Sequence, residues 1–313
     1  MRIYAQPLGS LTEYILTNPA TGDCVAVVPA HGGIIRSLKL HKEGVEHEVI
    51  QAGKDERSFL AERSAAGMHL FPWPSRIQYG RYSFGGKDYQ LPVNEQPRQN
   101  AIHGLVQYGP FEVTEEFADP TVARLTLRHR FKGVEGYPFP FELDITHEMT
   151  PDGRLTLAYV ARNVGQTAMP LGLGWHPYFH LDEPIDTMQL AFPAEAAYFL
   201  DNQMIPVAKD FFLEAKPGFS LNNRVLDTPY AVYRDNPIAT TQLTSPTKGV
   251  TVNVWQEVGE GKFNFVVIYT PPKRNRIAIE PMTCNVNAFN SGDGLVTLEP
   301  GQTWGAKCGV FLS

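Results

Sequence analysis

Apolar and polar side chains alternate with a period of two along much of this chain. The pattern is clearest over residues 141–149 and 154–164, where residues such as Leu155, Leu157 and Tyr159 fall on one face. A period of two places successive side chains on opposite sides of an extended backbone, so these segments are predicted to be β-strands. Further strand patterns are found at 250–258, 263–270 and 275–281.

Signals for other elements are fewer. Residues 81–91 predict a hairpin with two glycines at its turn, and the two glycines within 32–37 indicate a turn between strands. Helical patterning is short and confined to 54–66, while 182–247 is expected to consist of long loops and short strands. Many short strands without alternating helices favour an all-β antiparallel sandwich or barrel, predicted as one domain over residues 1–313.

Composition argues against several classes of partner and location. The net charge is −6 with no basic run, which disfavours nucleic-acid and anionic-membrane partners. Cys24, Cys284 and Cys308 suit neither a disulfide framework nor a zinc site. The N-terminus lacks a signal-peptide pattern, and no apolar run approaches the ~18 residues that span a bilayer. We expect a cytoplasmic protein, either a monomer or a homodimer.

Three segments place titratable side chains in apolar surroundings. Residues 172–181, GLGWHPYFHL, set His176 among aromatic rings, residues 101–105 carry His103, and Glu280 ends an apolar run. An imidazole titrates near physiological pH, and burial raises the pKa of a carboxyl toward the range of a general base. Aromatic faces and polar groups together suit a sugar ring, so the segments indicate acid–base chemistry on an uncharged, hydroxyl-rich substrate.

Structural roles are the alternatives for these three residues. Glu280 precedes a proline, which favours extended backbone at the end of a buried strand, but it could also pair with Arg274 or Arg276. Either histidine could be a core residue bonded to a backbone carbonyl.

The aromatic neighbours of His176 sharpen the functional interpretation. Trp175, Tyr178 and Phe179 are expected to form an apolar wall around its ring. His180 lies four residues further on, but Pro177 interrupts any helix between the two, so His180 is interpreted as structural.

Arg76 and Asp227 are candidate binding residues. The guanidinium of Arg76, in an apolar and turn-rich segment, could bind a pair of hydroxyls or orient a carboxylate, or could form an ordinary ion pair. Asp227 could accept hydrogen bonds from hydroxyls or cap a turn. The sequence contains no phosphate-binding glycine loop, nucleophile elbow or paired-cysteine motif, and neither a cofactor nor a metal is expected.

Five segments, in order, resemble those of the aldose 1-epimerase (galactose mutarotase) family. They are PWPSRIQYGRYSFGGKDYQLPVNE from residue 72, AIHGL from 101, GWHPYFHL from 174, LDTPY from 226 and VVIYTPPKRNRIAIEPMTCNVNAFN from 266. The resemblance covers most of the chain. It implies a large antiparallel β-sandwich, with the site on a concave face, that acts on a small-molecule sugar.

The resemblance also implies a role for each candidate residue. Glu280 is expected to take the proton from the anomeric hydroxyl, and His176 to protonate the ring oxygen. The two are expected to face each other across a cleft about one hexose wide. His103 and Arg76 are expected to hold the hydroxyls and the region of the ring oxygen, and Asp227 to hold other hydroxyls.

Two departures from the family pattern concern the binding residues. Ser75 stands before Arg76 where the family usually has asparagine, which affects how Arg76 is oriented. Asp227 is followed by Thr-Pro-Tyr instead of histidine and an aromatic residue, which affects Asp227 and the preference for galactose.

Three other functions remain open from the sequence. A hexose-6-phosphate 1-epimerase needs extra cations; residues 105–107 supply none, but Arg57, Arg63 or Arg98 could. A non-catalytic carbohydrate-binding protein is the second, although binding alone does not need a matched acid and base. The third is a metal site of two histidines and one carboxylate, as in non-haem iron oxygenases.

Overall fold

Three antiparallel sheets make up most of the protein in this computed structural model, which describes residues 1–62, 64–212, 215 and 217–313. In chain order, the strands that precede residue 150 are β1 (Arg2–Leu8), β2 (Leu11–Thr17), β3 (Cys24–Val28), β4 (Ile34–Lys42), β5 (Val45–Gln51), β6 (Met68–Leu70), β7 (Arg76–Gln78), β8 (Arg81–Phe84), β9 (Lys87–Gln90), β10 (Asn100–Ile102), β11 (Glu112–Ala118), β12 (Ala123–Phe131) and β13 (Phe141–Met149). Those that follow are β14 (Leu155–Asn163), β15 (Met169–Leu171), β16 (Gly174–His176), β17 (Tyr178–Phe179), β18 (Gln189–Ala191), β19 (Ala194–Leu200), β20 (Pro206–Phe211), β21 (Phe219–Ser220), β22 (Asp227–Val232), β23 (Ile238–Ser245), β24 (Val250–Glu257), β25 (Phe265–Tyr269), β26 (Ile277–Met282), β27 (Val296–Leu298) and β28 (Thr303–Leu312).

The sheets differ in how their strands are connected. The first is a meander of β1 to β5 in sequence order. The second has nine strands in the order β11-β12-β13-β14-β28-β24-β23-β18-β21. The third has the order β20-β19-β22-β25-β26-β16-β6, and β17 also pairs with β26. Short two-stranded ladders join β7 to β10, β8 to β9 and β15 to β27.

The alternating segments form the strands that the sequence predicts. Every second side chain of Phe141–Met149 is buried, and the same holds for Leu155–Asn163, which pairs with it residue for residue. Burying one face of each strand removes apolar surface from water and fixes the register, since a slip by one residue would expose that face. The all-β antiparallel sandwich is therefore confirmed.

The shorter predicted elements are present as well. The hairpin over 81–91 forms from β8 and β9, and the glycines within 32–37 adopt positive φ between β3 and β4. The helical signal at 54–66 becomes the single turn α1 (Glu56–Leu60), capped by Asp55. Among the described residues, α2 (Ala288–Ser291) and a 3₁₀ turn at Ile185–Thr187 are also helical. In the part of the chain that the structure describes, no helix has the length and apolar character needed to cross a membrane.

The prediction for 182–247 is wrong in one respect. This segment supplies four strands of six to eight residues, and all four pair within the two larger sheets: Ala194–Leu200, Pro206–Phe211, Asp227–Val232 and Ile238–Ser245. Ala194–Leu200 pairs across register shifts on both sides, and Asp227–Val232 pairs with a strand about 40 residues further along. Ile238–Ser245 pairs regularly with the next strand, but three of its four buried side chains are Ala239, Thr241 and Ser245, so alternation of apolar residues gave little signal.

The third sheet has two different faces. Ile277 and Ile279 of β26, with Ile268 of β25, join the main apolar core. Side chains one residue out of phase, such as Val267 and Glu280, lie on the other face and line a cavity. One strand thus contributes both to the core and to the candidate site.

Candidate active site

A cavity of about 360 Å³ lies over the third sheet and contains all five residues singled out from the sequence. Its lining consists of Ser64, Ala65, Ser75, Arg76, Arg98, Ile102, His103, His176, Tyr178, Asp227, Val267, Tyr269 and Glu280. The five come from strands and loops that are up to 204 positions apart, from Arg76 to Glu280. The fold therefore brings together residues that no local motif connects.

Glu280 and His176 form a buried pair on neighbouring strands. His176 Nε2 lies 3.2 Å from Glu280 Oε1, and the residues are 5% and 3% exposed. The strands are joined where Gly174 pairs with Met282, and Thr283 bonds to both backbone polar groups of Leu173, each at 2.8 Å. These bonds hold the strand of His176 in register with the strand of Glu280.

The expected arrangement of the pair across a cleft is wrong, because the two side chains touch each other. Glu280 also lies within its strand, which continues through Pro281 to Met282, and not at the strand's end. The ion pairs considered for it do not form. Arg274 binds Asp186 at 2.8 Å and Arg276 binds Glu62 at 3.1 Å.

Only one of the three aromatic neighbours of His176 faces the cavity. The Tyr178 ring lies 5.1 Å from the His176 ring, and the Arg276 guanidinium lies 4.3 Å from the Tyr178 ring centre. Trp175 and Phe179 instead pack against each other in the core. The predicted aromatic wall is wrong for these two residues because alternation along the extended segment places them on the opposite side.

His103 is held in a strained backbone conformation beside His176. Its φ is 68°, in the left-handed region that β-carbon sterics disfavour, and its N–H donates to the Ser75 carbonyl at 2.9 Å. The rings of His103 and His176 meet edge to face at 5.3 Å. A β-carbon on Gly104 would lie 2.2 Å from the Phe71 carbonyl oxygen, so only glycine permits this close approach.

Arg76 forms an ion pair and also lines the cavity. The sequence had left open an ordinary ion pair or a binding role, and the position of Arg76 is compatible with both. Its Nε and Nη2 donate to the Glu95 carboxylate at 2.9 and 3.0 Å, leaving Nη1 unused by Glu95. Ser75 adopts a φ of 51°, a conformation that asparagine tolerates better than serine. The guanidinium is thus oriented by Glu95 in a chain that lacks the family's asparagine.

Asp227 opens β22, opposite Tyr269 of β25, and does not cap a turn in the structure. Burial raises the pKa of Asp227, Arg76 and Arg98 oppose the change, and Glu95 adds to it. The Asp227 carboxylate therefore interacts electrostatically with both arginines that line the cavity.

Burial dominates the electrostatics of the central pair. It raises the pKa of Glu280 well above the usual range, helped by Asp227 and opposed by Arg76. It lowers the pKa of His176 to about 4 and holds that of His103 well below its usual value. Because burial favours the uncharged form of each group, it favours a protonated Glu280 beside a neutral His176.

Comparison with known proteins identifies the family. The sequence profile described as aldose 1-epimerase matches residues 13–310. The chain belongs to the aldose 1-epimerase family. Membership makes it an isomerase, and the resemblance drawn from the five segments is confirmed.

Curated relatives support the assignment of this aldose 1-epimerase family member. An Escherichia coli K12 protein described as uncharacterized protein YihR is 30% identical over 241 residues, 75% of each chain. Galactose mutarotase of Mus musculus is 29% identical over 175 residues, 53% of this chain and 48% of that protein.

Solved structures share the fold of the family member. A galactose mutarotase-like protein from Clostridium acetobutylicum superposes with a TM-score of 0.87 at 20% identity, covering 100% of this chain and 98% of that one. A galactose 1-epimerase from Lactobacillus acidophilus gives 0.83 at 18% identity, with the same coverage.

Several lining residues of this aldose 1-epimerase family member were not selected from the sequence as site residues. Tyr178 and Tyr269 lie 6.4 Å apart as two aromatic surfaces near Glu280 and Asp227. Arg98 also lines the cavity and was predicted only as a possible source of charge. Glu95 lies outside the lining but binds Arg76, and the sequence did not indicate it. Tyr178 carried a signal in the alternation with His176, whereas Glu95 carried none because its partner is 19 residues away.

Proposed function

We propose that this protein interconverts the α and β anomers of an aldohexose by opening and closing the pyranose ring. The observation that carries the proposal is the 3.2 Å contact between His176 Nε2 and Glu280 Oε1 in a cavity of sugar size. The anomeric hydroxyl oxygen and the ring oxygen are bonded to the same carbon. Two side chains that lie side by side, as these do, can therefore reach both oxygens.

The proton balance closes over one turnover. The Glu280 carboxylate takes the proton of the anomeric hydroxyl, the bond from C1 to the ring oxygen breaks, and His176 protonates that oxygen. The open-chain aldehyde rotates about C1–C2 and closes on its other face, with both proton transfers reversed. Each positioned acid or base contributes about 10²–10⁴-fold, or roughly 3–5 kcal/mol.

Burial favours one of the two protonation forms of the Glu280–His176 pair that this cycle requires. Protonated Glu280 beside neutral His176 is the form that burial favours, and it is the form present once the ring has opened. The other form has the same total charge, so turnover moves protons within the pair without placing net charge in the cavity. The proposed roles of the other residues follow, with Arg76, His103 and Asp227 holding hydroxyls and the tyrosines facing the CH surface.

The charge of the cavity favours an uncharged hexose. Arg76 and Arg98 are matched in number by the carboxylates of Glu95 and Asp227. A phosphate would bring charge that no remaining cation of the described lining offsets.

A hexose 6-phosphate is the second candidate substrate, and one observation favours it. Arg98 lines the cavity with a side chain that is 40% exposed, and Glu95 binds its Nη1 at 3.1 Å. Arg57 lies in α1 and does not line the cavity, while Arg63 lies outside the described residues. Comparing rates on glucose and glucose 6-phosphate distinguishes the two substrates.

Two rival functions give different results in simple assays. A sugar-binding protein without turnover would bind hexose but leave mutarotation at its spontaneous rate. For the metal hypothesis, no group of three His, Cys, Asp or Glu side chains among the described residues is placed to hold an ion, and elemental analysis addresses it directly.

Two wider expectations remain proposals. We propose one domain over residues 1–313, supported by a single apolar cluster that draws on residues from Leu16 to Val310. The cytoplasmic location and the choice between monomer and homodimer also remain proposals, the first supported by three unpaired cysteines.

Polarimetry on freshly dissolved α-D-glucose and α-D-galactose tests the proposed activity. The wild-type protein is expected to accelerate the change in rotation, and Glu280→Gln to lose most of that acceleration. Glutamine has nearly the shape of a protonated glutamate, so the variant is expected to fold. A folded Glu280→Gln protein with an undiminished rate would overturn the assignment.

A further inference from the structure

Both arginines that line the cavity share one carboxylate. Glu95 accepts from Arg76 Nε at 2.9 Å and from Arg76 Nη2 at 3.0 Å. It also accepts from Arg98 Nη1 at 3.1 Å and from Asn100 Nδ2 at 3.0 Å. The side chain of Glu95 is only 12% exposed, and Asn100 is fully buried.

These contacts use the acceptor capacity of the Glu95 carboxylate. An ionised carboxylate has about four lone-pair sites, and four nitrogens occupy them here. Glu95 therefore has no acceptor position left for a sugar hydroxyl, and it does not line the cavity. Any influence on substrate must pass through the two guanidiniums.

The backbone joins Glu95 to both arginines. Glu95 N–H donates to the Asn100 carbonyl at 3.0 Å, and Asn100 N–H donates back at 3.3 Å, closing the turn that carries Arg98. Beyond Asn100, strand β10 pairs with β7 so that Ile102 lies opposite Arg76. The carboxylate thus connects the loop at the rim of the cavity to the strand that carries Arg76.

The paired hydrogen bonds between Arg76 and the Glu95 carboxylate fix the orientation of the guanidinium as well as balancing its charge. Two parallel N–H···O bonds from Arg76 set the plane of its guanidinium, which a single bond would not do. Although burial alone acts in the other direction, hydrogen bonds from Arg76 and Asn100 keep the pKa of Glu95 low, so it stays ionised.

We propose that Glu95 is the positioning residue of the substrate site: its carboxylate sets the directions of Arg76 and Arg98 and thereby the affinity for the sugar's hydroxyls. The proposal rests on the proposed function, since it assigns the two arginines to substrate. Glu95 moves no proton in the reaction.

The test compares Glu95→Gln with Glu13→Gln, measuring mutarotation of α-D-glucose. Glu13 is a matched control because it is 2% exposed and forms a fork with Arg36 in the first sheet, at 2.5 and 3.1 Å, and does not line the cavity. Loss of a charge-assisted bond predicts that Glu95→Gln raises KM by about 10- to 100-fold with a smaller change in kcat. Glu13→Gln is expected to lower stability but leave KM unchanged.

The pH profile supplies a second readout that a purely structural role would not move. Without the Glu95 charge, Arg76 acts more strongly on Glu280, so the alkaline limb of kcat/KM is expected to shift to lower pH in Glu95→Gln. Glu95→Asp keeps the charge with a shorter reach, so it is expected to raise KM while keeping the wild-type profile. Glu13→Gln is expected to keep it too.

Two results overturn the proposal while the wild-type enzyme is active. One is a wild-type KM and pH profile in Glu95→Gln, and the other is an equal rise of KM in Glu13→Gln. If Glu95→Gln does not fold, a wild-type KM in Glu95→Asp overturns it instead. Absence of acceleration by the wild-type protein would refute the proposed function itself, which keeps the two failures apart.

Discussion

Replacing His69 is expected to change how the stability of the protein depends on pH. His69 is 1% exposed and lies beside the site, because its strand pairs with the strand of His176. Its Nε2 contacts the Gly33 carbonyl at 3.1 Å and must donate, since a carbonyl only accepts. Its Nδ1 then accepts from the Tyr159 hydroxyl at 2.9 Å, so the folded state holds a neutral imidazole.

The magnitude follows from the pKa of His69. Burial lowers that pKa from 6.5 to about 4, only partly opposed by the Gly33 carbonyl. The unfolded chain therefore binds a proton below pH 6.5 that the folded protein does not, and stability falls as the pH drops from 6.5 toward 4. At roughly 1.4 kcal/mol per pH unit, the full cost is about 3 kcal/mol, of which about 2 kcal/mol is lost between pH 7 and pH 5.

Urea unfolding of wild type and His69→Gln at pH 8, 7, 6 and 5 measures this contribution. Glutamine offers one donor and one acceptor group but does not titrate. The variant is expected to be less stable than wild type by a constant amount from pH 8 to 7, because neither state titrates there. The difference is expected to shrink by about 2 kcal/mol at pH 5. A constant difference down to pH 5 would refute the neutral buried His69.

Two further predictions concern activity. Burial lowers the pKa of His176 to about 4, so kcat/KM is expected to fall toward pH 4, where a second proton enters the pair. It is expected to fall again at alkaline pH, where Glu280 releases the last proton. A profile with a single limb would count against the shared proton. Gly104→Ala is expected to reduce activity at least about 10²-fold by displacing His103. The control is Gly44→Ala, because Gly44 has a similar positive φ but open space around it, and this change is expected to cost only roughly 1 kcal/mol of stability. Equal activities in the two variants would contradict this prediction.

Local sequence predicted the strands whose buried positions are apolar and whose partners are adjacent and regular. Phe141–Met149 and Leu155–Asn163 alternate cleanly because each buries one face against the same core. Strand Ala194–Leu200 is alanine-rich, shifts register against its neighbour and was missed, because its conformation depends on long-range pairing.

The site was predictable only in part. Local chemistry indicated the five candidate residues one at a time, and the resemblance along the chain grouped them into one site, which spacing alone could not do. The contact between His176 and Glu280 could not be derived, because it depends on the pairing of strands about 100 residues apart. The dependence of Arg76 on Glu95 was hidden for a similar reason, since a hairpin and two loops separate them.

The most direct test of the account measures mutarotation by Glu280→Gln, His176→Gln and the double variant. If the two side chains act as one proton-transferring unit, each single change should lower kcat/KM by at least about 10²-fold, and the double variant should be little worse than either. A folded single variant that retains the wild-type rate, or losses that multiply in the double variant, would contradict a shared proton between these residues.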